Sequence, residues 1–63
     1  SPHRLLRTLK QLSAFLGSDQ LISVSREISK IHEENKRGKI IEIISYYELK
    51  KPKGEFVIIV SKK

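Results

Sequence analysis

Residues 39–60, with the sequence KIIEIISYYELKKPKGEFVIIV, place a helical pattern directly before a strand pattern. Apolar side chains recur at helical spacing over residues 39–49, although isoleucine is a weak helix former, so packing must hold this helix. Pro52 closes it, because the residue before a proline is pushed out of the helical conformation. Residues 55–61 contain an unbroken apolar run, which predicts a strand buried on both faces. A helix followed by such a strand favours the α/β class.

The start of the chain predicts another helix, over residues 2–16. Ser1 suits the N-cap, Pro2 suits the first helical position, and Gly17 suits the C-terminal end. One apolar stripe runs along it: Leu5, Leu6, Leu9, Leu12 and Leu16. Three basic residues, here called the basic ridge, recur at a spacing of three on the neighbouring face: Arg4, Arg7 and Lys10. The first helix is therefore predicted to be apolar on one side and basic beside it.

The segment between the two helices gives weaker signals. Leu21, Ile22 and Val24 alternate with serines after the Gly17 turn, which predicts a short strand. Residues 26–37 fit either a charged helical turn or a loop. Two helices of this size cover one face of a small sheet well and the other poorly, so we expect an uncovered face that either a missing domain or a second copy covers. For the chain by itself we expect a homodimer.

Composition narrows the class of protein. The 63 residues form at most one domain, and thirteen Lys and Arg against seven Asp and Glu give a formal charge of +6. Such a charge favours polyanions such as RNA, and the simpler interpretation is a solvated, lysine-rich surface. The chain has no cysteine for a disulfide, no apolar run of the ~20 residues that span a membrane, and no signal-peptide core. We expect a soluble, cytoplasmic protein without a membrane partner.

Four blocks of sequence carry a resemblance. They are residues 1–6 (SPHRLL), 26–34 (REISKIHEE), 37–38 (RG) and 52–55 (PKGE). In this order they closely resemble the C-terminal part of the ribosomal RNA small-subunit methyltransferase I family, a branch of the tetrapyrrole-methylase superfamily. The resemblance covers residues 1 to about 62. It departs at Lys39, where the family has a threonine, so the second helix lacks the expected cap.

The resemblance implies a fold and a function. By this resemblance, residues 1–63 would be a single C-terminal subdomain of a larger methyltransferase. The chain begins with serine and contains no methionine, which by itself predicts only that it is a part of something longer. The implied fold is α/β, part of the mixed-sheet C-terminal domain of a tetrapyrrole-methylase-like fold. A loop and a weak strand near residues 32–36 complete the order helix, strand, weak strand, helix, strand. The implied reaction is methyl transfer from S-adenosylmethionine to the ribose 2′-hydroxyl of a cytidine in small-subunit ribosomal RNA.

The resemblance also implies site residues. Block 26–34 corresponds to a turn against S-adenosylmethionine, and a strand that ends before Arg26 would release polar side chains at the ligand-binding edge of the sheet. The expected cofactor contacts are Arg26, Glu27 and Lys53. The expected RNA contacts are His3, Arg4, Arg7, Lys30, His32 and Arg37. The family's glycine-rich cofactor loops lie in its other half, so this chain alone is expected to be inactive.

Simpler interpretations stay beside these. They are an ordinary helix start at residues 1–4, an internal salt-bridge network for Lys30, His32 and Glu33, a solvated arginine at Arg37, and a plain turn at residues 52–55. A metal site at residues 32–34 is disfavoured, because adjacent residues do not share a helical face. Tyr47 fits the apolar stripe, which leaves Tyr46 as the free aromatic residue for RNA stacking. Two alternative functions stay open. One is a methyltransferase for corrin or porphyrin precursors, and the other is a freestanding basic module that binds RNA or dimerises.

Overall fold

The structure, a computed structural model, describes residues 2–29, 32–50 and 55–62. The elements along the chain are α1 (Pro2–Leu16), β1 (Leu21–Ser29), β2 (His32–Lys39), α2 (Ile40–Leu49) and β3 (Glu55–Val60). This order confirms the α/β class and the predicted succession of helices and strands. Ser1, the predicted N-cap, and Pro52, the predicted end of the second helix, lie outside the described residues.

The three strands form one sheet with β1 in the centre and the order β2-β1-β3. Val24 of β1 pairs with Lys36 of β2 on one side and with Ile58 of β3 on the other. Both pairings are antiparallel, as the short connection between β1 and β2 requires for that pair. The described strands therefore lack the parallel pairing that a mixed sheet needs.

Both helices pack on one face of this sheet. The buried core contains two residues of α1, two of β1 and four of α2: Leu5, Leu9, Ile22, Val24, Ile40, Ile43, Ile44 and Tyr47. Because side chains alternate along a strand, the even-numbered residues of 22–26, 34–38 and 56–60 lie on the side of the helices. The odd-numbered residues of 21–27, 33–39 and 55–59 form the opposite side, here called the open face.

The prediction that β3 is buried on both faces is wrong. Phe56 and Ile58 pack against the core, whereas Val57 and Ile59 are 59% and 55% exposed. A strand is buried on both faces only when helices or another sheet cover both sides, and the described helices cover one. Alternate residues of the apolar run therefore pack against the core, and the others lie on the open face.

The turn between α1 and β1 supplies hydrogen-bond acceptors to the first amides of α2. Gly17 has a φ of +100°, the left-handed conformation that ends a helix readily, so its predicted role is confirmed. Lys39 makes no side-chain capping bond, as predicted from the missing threonine. Instead, the Ile40 amide donates to the Gln20 carbonyl at 2.8 Å and the Ile41 amide donates to the Ser18 carbonyl at 3.2 Å. Backbone carbonyls thus satisfy amides that a capping side chain otherwise serves.

Candidate functional site

Arg26 and Glu27 lie within β1 and not beyond its end. β1 continues to Ser29, and Arg26 pairs with Glu34 of β2 and Phe56 of β3. The prediction that the strand ends before Arg26 is wrong, because backbone partners on both sides carry the strand further. Successive side chains point to opposite faces, so Arg26 faces the helices and Glu27 lies on the open face.

Arg26 belongs to a hydrogen-bonded group that we call the Glu34 cluster: Arg26, Glu34 and Tyr46. The Arg26 Nε donates to Glu34 Oε1 at 2.6 Å, and the Tyr46 hydroxyl donates to Glu34 Oε2 at 2.7 Å. The side chains of Arg26 and Glu34 are 16% and 25% exposed. The prediction that Tyr46 is free is therefore wrong. Charge-assisted bonds of this kind are stronger than bonds between neutral groups, so the cluster ties α2 to two strands.

The cluster changes the acidity of its members. The hydrogen bond from Tyr46, and then that from Arg26, holds the pKa of Glu34 below its usual value. The same bond to Glu34 raises the pKa of Tyr46, because ionising the hydroxyl would remove the donor. Glu34 is thus a carboxylate and Tyr46 a neutral donor at neutral pH. The sequence left an internal salt-bridge network open for Lys30, His32 and Glu33 of this block, whereas the ion pair that the structure shows joins Arg26 and Glu34.

Two lysines, here called the lysine pair, lie over the ring of Tyr46. The Nζ of Lys36 is 4.3 Å from the ring centroid, and the Nζ of Lys50 is 5.5 Å from it. Both distances fall within the range of cation–π attraction. Sequence reasoning missed these residues, because one comes from β2 and the other follows α2. The sequence does show one lysine before and one lysine after the helical pattern that contains Tyr46, and this is the signal that could have identified them.

The basic ridge is exposed on α1. Arg4 and Arg7 are solvent-accessible, and no ion pair within the described part of the chain engages either one. Lys10 differs, because its Nζ lies 3.2 Å from Glu48 Oε2 of α2. That pair is exposed on both sides and contributes about 0–1 kcal/mol. The ridge therefore offers two guanidinium groups to a polyanion.

The open face carries the remaining predicted contacts that the structure describes. Arg37 is exposed there opposite Ser23. Glu27 stands directly between Glu33 and Glu55 in the register, so three carboxylates form an acidic row across the sheet. Like charges placed directly opposite repel one another. Because α1 lies on the other face, Arg37 and the basic ridge do not form one surface.

Some predicted contacts cannot be placed. Lys30 and Lys53 lie outside the described residues, and the side chains of His3 and His32 are not described. Among the residues that are described, no three His, Cys, Asp or Glu side chains come together in a way that could hold a metal ion. Within the same part of the chain, no helix is both long enough and apolar enough to cross a membrane.

The chain is similar to proteins named ribosomal RNA small subunit methyltransferase I. It is 44% identical over 63 residues to the one from Thermotoga maritima, which covers 100% of this chain and 28% of the relative. The chain is 43% identical over 61 residues to the one from Synechocystis sp., and this region covers 97% of the chain and 22% of that relative. The chain is 44% identical over 61 residues to the one from Streptococcus pyogenes serotype M1, and this region covers 97% of the chain and 21% of that relative. No protein-family model matches the chain.

The chain thus spans between 21% and 28% of the length of these relatives. The region aligned with the Thermotoga maritima relative spans both helices and all three strands, and so includes more than the four blocks that carried the resemblance. The sequence-based assignment is therefore confirmed: over its length, this chain is homologous to a part of the ribosomal RNA small subunit methyltransferase I proteins.

Proposed function

We propose that this chain is the C-terminal subdomain of a cytoplasmic, S-adenosylmethionine-dependent methyltransferase that methylates the ribose 2′-hydroxyl of a cytidine in small-subunit ribosomal RNA. The observation that carries the proposal is the 43–44% identity to relatives whose name states that class of substrate. The formal charge of +6 and the exposed guanidinium groups of the basic ridge support contact with RNA. The names of the relatives favour this substrate over a tetrapyrrole.

The three described strands are then the antiparallel part of a larger mixed sheet. The acidic row, the Glu34 cluster and the basic ridge lie on different parts of that sheet and its helices. In this proposal the chain contributes structure and RNA contacts, and the rest of the enzyme contributes the reaction centre. A longer protein that carries this chain is therefore the catalyst, and the 63-residue chain alone is inactive.

The described residues do not fit one cofactor site. Arg26 is held by Glu34 on the helix-facing side, whereas Glu27 lies on the open face. Two neighbouring side chains on opposite faces of a strand cannot line the same pocket. S-adenosylmethionine would supply the activated methyl group, and we place most of its contacts in the remaining part of the enzyme. The cofactor roles of Arg26, Glu27 and Lys53 stay predictions.

Methyl transfer tests the proposal. We expect a longer protein that carries this chain to move a labelled methyl group from S-adenosylmethionine to small-subunit ribosomal RNA. The modified nucleotide should resist alkaline cleavage, because a 2′-O-methyl group removes the attacking hydroxyl. Large-subunit ribosomal RNA is the matched substrate control, and the 63-residue chain is the control for catalysis. Label in a tetrapyrrole precursor, with none in the RNA, would reject the proposal.

We propose further that two copies of the chain associate through the open face. One end of this face carries the acidic row, the other carries Lys39, and the exposed apolar residues Val57 and Ile59 lie between the two ends. A two-fold axis across the strands reverses their direction in the second copy. It places Lys39 over the second copy's Glu33 and brings the apolar residues together. The face is therefore complementary to itself in charge and in hydrophobicity.

Sedimentation over a range of concentrations tests this association, which should be weak because the open face is small. We expect Ile59→Lys to abolish it. Ile41→Lys is the matched control, since Ile41 is 45% exposed on α2 and lies away from the open face. Exchange of the end charges, Lys39→Glu with Glu33→Lys, should restore the association that either single change weakens. Equal association of the two lysine variants would contradict the proposed face.

A further inference from the structure

The lysine pair approaches Tyr46 from two elements that are distant in sequence. Lys36 is half-buried on the helix-facing side of β2, and Lys50 is the exposed residue that ends α2. Their ammonium groups share one aromatic ring at 4.3 and 5.5 Å. Two like charges therefore rest on one aromatic ring.

That support does not depend on the lysines. The Tyr46 hydroxyl is bonded to Glu34 at 2.7 Å, and Arg26 holds the other oxygen of the same carboxylate. The Tyr46 ring also packs edge-on against the buried Tyr47, with 4.9 Å between the ring centroids. A ring held from two sides gives the lysine pair a fixed position before any ligand arrives. Such preorganisation reduces the entropy that binding must overcome.

Positive charge exceeds negative charge at this place in the described structure, although Glu34 attracts Lys50 as well as Arg26. Both oxygens of Glu34 already accept hydrogen bonds, one from Arg26 and one from Tyr46. The ion pairs formed by lysines among the described residues belong to Lys10 and Lys39, and not to the lysine pair. The C-terminus of α2 favours a cation at Lys50 through the helix dipole, but it gives no such reason for Lys36. Two ammonium groups are thus without an ion pair in the part of the chain that the structure describes.

We propose that the lysine pair binds a phosphate group of the RNA backbone, an inference that rests on the proposed RNA substrate. Lysine ammonium groups bind phosphate as point charges, and one phosphodiester can accept hydrogen bonds from both. Such a contact positions RNA and does not read its sequence. It adds a second point of RNA contact to the basic ridge, at the edge where β2 meets the end of α2.

Binding of a fluorescent oligouridine to the 63-residue chain, measured by anisotropy over a series of salt concentrations, tests the inference. We expect Lys36→Gln with Lys50→Gln to weaken binding about fivefold at low salt. The slope of log affinity against log salt should fall by about 0.7, the value for one single-strand phosphate. Lys39→Gln with Lys62→Gln is the control, because it removes the same net charge away from Tyr46. Circular dichroism of each variant verifies its fold.

The outcomes separate this inference from the proposed function. If the lysine-pair variant binds like its control while Arg4→Gln with Arg7→Gln binds weakly, RNA binding stands and the lysine pair has no part in it. The two lysines then only cover the Tyr46 ring. If the unaltered chain does not bind RNA even at low salt, the proposed RNA contact fails, and the inference fails with it. Selective loss in the lysine-pair variant supports both.

Discussion

Tyr47→Phe is expected to stabilise the chain, whereas Tyr47→Ala is expected to unfold it. The Tyr47 side chain is fully buried, and its hydroxyl has no hydrogen-bond partner among the described residues. Burial raises the pKa of this hydroxyl, which reflects the same loss of water. Leaving a buried hydroxyl without a partner costs about 1–3 kcal/mol, so phenylalanine should raise the free energy of unfolding by about 1 kcal/mol.

The alanine variant removes the whole ring. Tyr47 packs edge-on against Tyr46 and Phe56, and truncation of such a core aromatic costs about 3–5 kcal/mol. Domains of this size are stable by about 0.05–0.15 kcal/mol per residue, so the loss can exceed the total. Urea unfolding followed by circular dichroism measures both variants. Tyr46→Phe is the matched control, because it removes a hydroxyl that is bonded to Glu34 and should destabilise. Destabilisation by Tyr47→Phe would show that the buried hydroxyl has a partner.

Arg26→Ala is expected to lower the free energy of unfolding by about 2 kcal/mol, a value between those of exposed and buried ion pairs. The variant leaves Glu34, which is 25% exposed, without its guanidinium donor. The adjacent Glu27→Ala is the matched control. Its carboxylate is exposed between two other glutamates, so its removal should change stability by less than about 0.5 kcal/mol or raise it slightly.

The pH dependence identifies the cause of the Arg26 effect. The pKa of Glu34 is lowered in the folded state, so its stabilising contribution is present above the unfolded value of about 4.3 and is lost as the pH falls through the folded value. The difference between the unaltered chain and Arg26→Ala should therefore shrink below about pH 4. Urea unfolding at neutral and acidic pH measures it. A difference that does not change with pH would assign the effect to packing of the Arg26 side chain.

The helices were predictable because their signals are local. The leucine stripe and Gly17 mark α1, and isoleucines at helical spacing mark α2. β2 was predicted only as a weak strand, since its sequence HEENKRGK contains no apolar residue. It forms because β1 supplies backbone partners along its length, which is tertiary context and not propensity. The same pairing extends β1 beyond Val24, where the alternation of apolar and polar residues stops.

The candidate site was less predictable, because its members come from different elements. Arg26, Glu34 and Tyr46 belong to β1, β2 and α2, and no spacing in the sequence joins all three. The opposite charges of Arg26 and Glu34, eight residues apart across a hairpin, were the one available signal. The basic ridge was visible in advance because it lies on a single helix. The lysine pair becomes visible only once Tyr46 is placed beneath it.

The position of β3 has a consequence for synthesis on the ribosome. Of the described elements it is made last, yet it pairs with the central strand and not with the strand made just before it. Until β3 emerges, the sheet is only the two-stranded hairpin of β1 and β2, on which α1 and α2 can already pack. β1 meanwhile keeps an open edge through which chains can aggregate. The sheet is therefore completed only after β3 has left the ribosomal tunnel, and not strand by strand as it is made.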